Sequence, residues 1–221
     1  MKLNPQKRLI YLITSGETNP QTTPAAEQFS NVLRLIEAAV AAGIDLVQIR
    51  EKRLSAKVLY ALSEAAAQIT RGSSTGLLVN DRADIAAAAG AQGVHLSTRS
   101  LSPQVVRRTF GDQFLIGVST HSLDQASFAR AQGADLAVLG PIFETSSKRQ
   151  YGEPLGIEEL RRVASQLTPF PILALGGIAV SRVAACIRAG ASGIAAISLL
   201  NDARQLRRVV NEIRSSFDEP G

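Results

Sequence analysis

The sequence has no tryptophan, one cysteine and two histidines, and aromatic residues make up only 5% of it. A lone Cys186 excludes an intramolecular disulfide, and no Cys-rich spacing of a structural zinc site is present. With so few rings, Ala, Leu, Ile and Val must fill the interior, as they do where Ala-rich helices cover aliphatic parallel strands. Long apolar runs are missing too. The basic start Met1–Arg8 is followed only by the short stretch Leu9–Ile13, and nothing later could span a bilayer. A cytoplasmic location without a membrane partner is therefore expected. The net charge of +5 suits anionic partners. Its paired arginines, Arg107-Arg108, Arg161-Arg162 and Arg207-Arg208, fall in helix-like stretches and read as solvated faces. No basic run is interleaved with aromatics, so no nucleic-acid partner is expected.

Against these absences stands a repeated pattern. Short aliphatic runs occur at Leu9–Thr14, Leu46–Arg50, Gly76–Asn80, Gly93–Leu96, Phe114–Ser119, Leu136–Ile142, Pro171–Leu175 and Gly193–Ser198. Amphipathic Ala-rich stretches lie between them, such as Ala25–Ala42, Ala56–Arg71, Ser122–Gln132, Ile157–Leu167 and Ala203–Ser215. Strands alternating with helices must pair in parallel, because each return crossing uses a helix. Several helices also close on a similar turn: Gly43-Ile44-Asp45, Gly90-Ala91-Gln92, Gly133-Ala134-Asp135 and Gly190-Ala191-Ser192. Eight such units in 221 residues predict a single-domain (β/α)₈ TIM barrel with its core over about residues 9–216. An open doubly wound sheet is the runner-up, weakened by the lack of a G-x-G-x-x-G after the first strand.

In such a barrel, function gathers where strands end and helices begin. Gln48, Arg50 and Lys52 alternate, so an extended strand would point all three to one side. Buried cations need counter-charge, from an anionic ligand or from an internal partner such as Asp81 or Glu51. Asn80 and Asp81 close the third run; the carboxylate could ligate Mg²⁺ or cap the helix that follows. Gly140-Pro141-Ile142-Phe143 opens a loop carrying Glu144, Thr145, Ser146, Ser147, Lys148 and Arg149, composed as a flap over phosphate or as an ordinary loop. Gly176-Gly177 and Ser198 end the seventh and eighth runs, where barrels often bind phosphate. His95 sits inside a strand and reads as a satisfied core histidine. His121 follows Ser119-Thr120 at a strand end, where it could move protons or merely flank a helix cap.

In this order, Val47–Lys52, Val79–Arg82, Gly93–Leu96, Gly117–Ser122, Gly140–Phe143, Thr145–Lys148, Ala174–Ile178 and Ala196–Ser198 resemble the thiamine phosphate synthase/thiazole tautomerase (TenI) superfamily. The synthase joins hydroxymethylpyrimidine diphosphate to thiazole phosphate: diphosphate departs with the help of Mg²⁺, and the thiazole nitrogen captures the pyrimidinylmethyl cation. The resemblance implies that Gln48, Arg50, Lys52, Asn80 and Lys148 meet the diphosphate side or the pyrimidine. Asp81 would be a metal ligand, and Gly176, Gly177 and Ser198 would hold the thiazole phosphate. Ser119, Thr145 and Ser147 match further substrate-contacting positions. One departure stands out: Ser100 occupies the place of a second metal carboxylate, with Arg99 beside it. A hydroxyl is a far poorer Mg²⁺ ligand than a carboxylate. That tips the reading towards the tautomerase branch, which aromatises a carboxythiazole phosphate without a metal and uses a His matching His121, with Lys148 as a second catalytic candidate. Pro141 and the kept Gln-Arg-Lys strand favour the alternative, a synthase requiring Mg²⁺. A non-catalytic phosphate-ligand regulatory protein is a third reading. The expected partner is a small phosphorylated heterocycle, and a homodimer is left open.

Overall fold

The structure, a computed structural model, describes residues 3–4, 6–145 and 153–217. Eight parallel strands close in sequence order into a barrel: β1 (Leu9–Ile13), β2 (Leu46–Ile49), β3 (Gly76–Asn80), β4 (Gly93–Leu96), β5 (Leu115–Thr120), β6 (Leu136–Leu139), β7 (Ile172–Leu175) and β8 (Gly193–Ala196). The helices that cover it are α1 (Glu27–Ala41), α2 (Ala56–Thr70), α3 (Ala83–Ala88), α4 (Pro103–Phe110), α5 (Leu123–Ala131), α6 (Gly156–Leu167), α7 (Val180–Arg188) and α8 (Leu206–Phe217). A short 3₁₀ turn, Ser198–Leu200, precedes α8. The molecule is the expected (β/α)₈ barrel. Four expected strands run past the observed ends, β1 and β2 by one residue and β6 and β8 by more. β6 stops at Leu139 because Gly140-Pro141 follows, and proline has no N–H for the ladder. β8 stops at Ala196 because the chain turns into the 3₁₀ segment.

The pleat sorts the strand residues into two apolar layers. Leu9, Tyr11, Ile13, Leu46, Leu78, Leu115, Leu136, Val138, Leu173 and Ala195 fill the barrel interior. Their alternates, among them Ile10, Leu12, Val47, Ile49, Leu77 and Val79, meet the helices. The expected repeated turn is real and recurs four times. Gly43, Gly90, Gly133 and Gly190 have φ of 75°, 74°, 85° and 93°. The next residue in each case donates back five positions: Ile44 to Ala39, Ala91 to Ala86, Ala134 to Ala129 and Ala191 to Cys186. This is a Schellman closure, in which a left-handed glycine satisfies the last helical carbonyls. The residue after the turn then pins the barrel floor: Asp45 Oδ2 accepts from Ile10 N and Asp135 Oδ2 from Ile116 N, both at 2.7 Å.

The arginine pairs lie on exposed faces as expected, except for the half-buried Arg107. Arg161 and Arg162 pair with Glu158 and Glu159, and Arg208 with Glu212. Arg107 ties α4 to the floor through Asp135, Gly133 O and Phe114 O. No helix among the described residues is long and apolar enough to cross a membrane.

Candidate active site

The strand ends bring most of the expected residues to one mouth. β2 carries Gln48, buried inside the barrel, and then Arg50, half-buried just beyond its end. Lys52 does not continue that row: β2 ends at Ile49 and Lys52 is an exposed residue in the following turn. Neither carboxylate suggested for Arg50 pairs with it. Glu51 is buried and turned away, accepting from Thr14 Oγ1 and Thr18 Oγ1 at 2.6 Å and from the backbone N–H groups of Gly16 and Thr18. Glu51 thereby organises the loop from β1 to α1. Among the described residues the Arg50 guanidinium has no ion-pair partner, leaving a half-buried cation open to an anion at the mouth.

Asp81 corrects the capping alternative. It is the one non-glycine residue with positive φ among those described, at 59°, and α3 has no side-chain cap. Its carboxylate points instead to the loop after β4. Oδ1 accepts from Ser97 N at 3.0 Å and from the Ser100 hydroxyl, and Oδ2 accepts from Asn80 Nδ2 at 3.0 Å. Partial burial pushes the carboxyl up, but the bonds from Ser100, Ser97 and Asn80 outweigh it and hold it below the usual value. Ser100 thus lies against Asp81, where the resemblance placed a second carboxylate. Arg99 is exposed beside it, and Arg82 pairs with Asp84.

Gly176, Gly177, Ser198 and Thr145 line one cavity of about 130 Å³ with Pro141 and Ile178. That is the liquid-water share of roughly four waters, room for a phosphate headgroup. The glycines have a second reason to be there. A Cβ at Gly176 would lie 2.6 Å from Pro141 Cα, and one at Gly177 would lie 2.5 Å from Glu144 O. The close approach that requires glycine is therefore to the loop after β6, not only to an anion. Ser146, Ser147 and Lys148 lie outside the described residues.

His121 is exposed, with Nδ1 hydrogen-bonded to Gly140 O, so that ring nitrogen carries the proton and Nε2 is the open one. Ser122 is the N-cap of α5. His95 is the satisfied core histidine expected: Nδ1 meets Tyr11 Oη at 3.2 Å and Nε2 meets Ser119 Oγ at 2.9 Å. Burial pulls its pKa down to about 4, with Asp81 opposing and Arg50 assisting the shift. Between the ordinary value of 6.5 and that value, the unfolded chain binds a proton at His95 that the folded chain does not. Stability from keeping His95 neutral is therefore complete above pH 6.5 and is lost as pH falls towards 4. The expected loss is about 3 kcal/mol at ~1.4 kcal/mol per unit. Urea unfolding of the wild type and His95→Gln at several pH values checks this; parallel pH profiles would refute it.

A parallel barrel with a half-buried cation, a carboxylate and a Gly-lined cavity at its C-terminal mouth has the features expected of an enzyme site for phosphorylated small molecules. The thiamine monophosphate synthase family model matches residues 10–200, and the chain belongs to that family. It is 41% identical to a thiamine-phosphate synthase of Methanoculleus marisnigri over 164 residues, covering 74% of this chain and 77% of that protein. It is 38% identical to the thiamine-phosphate synthase of Moorella thermoacetica over 189 residues, covering 82% and 90%. The solved thiamine phosphate pyrophosphorylase of Pyrococcus furiosus matches with a TM-score of 0.78 at 27% identity, covering 97% of both chains. These relatives favour the synthase alternative over the tautomerase preference drawn from Ser100.

Proposed function

We propose that this chain is a thiamine-phosphate synthase, condensing hydroxymethylpyrimidine diphosphate with thiazole phosphate and releasing diphosphate. The observation that carries the reading is a mouth with two places for anions on opposite arcs of the barrel. Arg50, Asn80, Asp81 and Ser119 stand on the β2, β3 and β5 side, and Gly176, Gly177 and Ser198 on the β7 and β8 side. Two phosphorylated substrates need two such places; a tautomerase acting on one thiazole phosphate needs only the second.

Magnesium fits this site only in company with substrate. Among the described residues no group of three or more His, Cys, Asp and Glu could cage a metal. Mg²⁺ is often held by one or two carboxylates, waters and substrate phosphates. Asp81 would be the carboxylate, with the Ser100 hydroxyl beside it, and the ion would supply charge neutralisation of the diphosphate. The protein's own contributions are distinct from this. Arg50 offers the diphosphate a positive charge in a partly desolvated place. The half-buried Asn80 presents its amide towards a heterocycle, whereas Gln48, for which the resemblance implies such a contact, is buried with its amide on Tyr11 Oη. The cavity below Gly176 and Ser198 fixes the second substrate by its phosphate, so that its ring nitrogen meets the carbon that loses diphosphate. For Lys148 the resemblance implies contact with the diphosphate side or the pyrimidine, and for Ser147 a further substrate contact.

Purified protein given both substrates should form thiamine phosphate, with Mg²⁺ required. His121→Gln should keep that rate within about threefold, since cation capture needs no base at His121. In a tautomerase the same change should cost about 10²–10⁴-fold, the usual span of general acid–base catalysis. No thiamine phosphate from the wild type, together with aromatisation of a carboxythiazole phosphate that Gln at 121 abolishes, would overturn the synthase reading.

A further inference from the structure

A chain of buried polar side chains crosses the barrel interior and ends at the mouth. Gln48 Nε2 donates to Tyr11 Oη at 3.1 Å, Tyr11 Oη meets His95 Nδ1 at 3.2 Å, and His95 Nε2 meets Ser119 Oγ at 2.9 Å. Tyr11 is fully buried, and Gln48 and His95 are 1% and 2% exposed. Ser119 alone of the four is half-buried and reaches the mouth. The fold makes room for this chain at a cost in packing. A Cβ on Gly117, His95's register partner on β5, would lie 2.7 Å from His95 Nδ1. A glycine in the middle of a barrel strand is otherwise unfavourable, so Gly117 is explained by the imidazole it accommodates.

The proton count gives this chain a direction. Tyr11 Oη accepts from the Gln48 amide, and its single proton then goes to His95 Nδ1. A neutral imidazole with Nδ1 accepting carries its proton on Nε2. That proton is donated to Ser119 Oγ. With one of its two oxygen lone pairs taken by His95, Ser119 has its own O–H to offer at the mouth. We propose that Tyr11 and His95 are positioning residues that fix Ser119 as a hydrogen-bond donor aimed at an anionic oxygen of bound substrate. The chain polarises in one sense, amide to phenol to imidazole to hydroxyl, so each bond strengthens the next. The ligand chemistry this selects is an acceptor without protons, such as a phosphate or diphosphate oxygen, in preference to a hydroxyl or amine. The diphosphate as that acceptor rests on the synthase reading; the tautomer and the direction of the chain do not.

Nitrogen-15 NMR of the free protein tests the direction without any activity. His95, assigned by comparison with His121→Gln, should give the signals of a neutral ring protonated at Nε2 from pH 5.5 to 8. Tyr11→Phe should remove the donor to Nδ1 and shift the ring towards a mixture of tautomers. Inorganic diphosphate and both substrates then test the function. Tyr11→Phe should weaken diphosphate binding or lower kcat by about tenfold, one neutral hydrogen bond's worth, and should leave KM for thiazole phosphate unchanged. The same change in a Ser119→Ala background should have no further effect. His95→Gln, whose amide can stand where Nε2 stood, should retain more activity than His95→Asn. A ring protonated at Nδ1, or a Tyr11→Phe penalty of the same size with and without Ser119, would overturn the proposal. If the wild type makes no thiamine phosphate, the synthase reading fails while the NMR and diphosphate binding still decide this one.

Discussion

Asp81→Asn is expected to lower thiamine phosphate formation by about 10²–10³-fold, the usual cost of removing one well-placed electrostatic group. The change is nearly isosteric, and asparagine tolerates the left-handed backbone that Asp81 adopts at φ 59°. The fold should therefore survive. What is lost is the carboxylate that, among the described residues, stands at this end of β3 and β4, together with one of its acceptor oxygens. Asp81 accepts from three partners, Ser97, Ser100 and Asn80; an amide can serve two of them only by turning its NH₂ on the third. The converse substitution, Ser100→Asp, places a second carboxylate against the first and should lower the Mg²⁺ concentration needed for half-maximal rate by about tenfold. Initial rates across a Mg²⁺ titration measure both effects, with thermal unfolding to show that the variants are folded. A wild-type rate from Asp81→Asn would remove Asp81 from the active site.

The resemblance singled out Asp81 and Ser100, which the structure places in hydrogen-bond contact, yet local reading of the sequence could not say what surrounds Asp81. Its helix-cap reading came from the residues that follow it. Its actual partners, Ser97 and Ser100, lie 16 and 19 positions further along. The buried chain failed for the same reason on a larger scale: Tyr11 and His95 are 84 positions apart. Nothing near Tyr11 in sequence distinguishes it from an apolar strand residue. Register supplies the missing information, because closing β1 on β8 and β4 on β5 decides which inward side chains share a layer. The architecture, by contrast, was legible because its signals are local. A glycine three positions before each of β2, β4, β6 and β8 marks the helix closure with its own φ. Four buried residues then make a short strand. Lys52 marks where such local rules give out, since alternation holds only while the strand lasts and β2 ends at Ile49.

The other large effect lies where β7 meets the loop after β6. Gly177→Ala is expected to destabilise the fold by about 2–5 kcal/mol and to weaken thiazole phosphate binding at least tenfold. Two contributions add. A left-handed backbone costs an L-residue roughly 1–2 kcal/mol, and Gly177 has φ 62°. Overpacking then costs about 1–3 kcal/mol, because the new methyl would sit 2.5 Å from Glu144 O and 2.7 Å from Phe143 Cβ. Neither neighbour can yield alone. Arg182 lies over the Phe143 ring at 4.7 Å and donates to Gly177 O at 2.7 Å, so the turn, the loop after β6 and α7 shift together. That loop supplies Pro141 and Thr145 to the phosphate cavity, which is how a change in packing becomes a change in affinity. Gly43→Ala is the control, with φ 75° and nothing within 4 Å of the added methyl. It should cost only the backbone contribution and leave binding alone. Urea unfolding and calorimetry with thiazole phosphate separate the two. Equal stability losses and unchanged affinity would mean that the contact between Gly177 and the loop carries no part of the site.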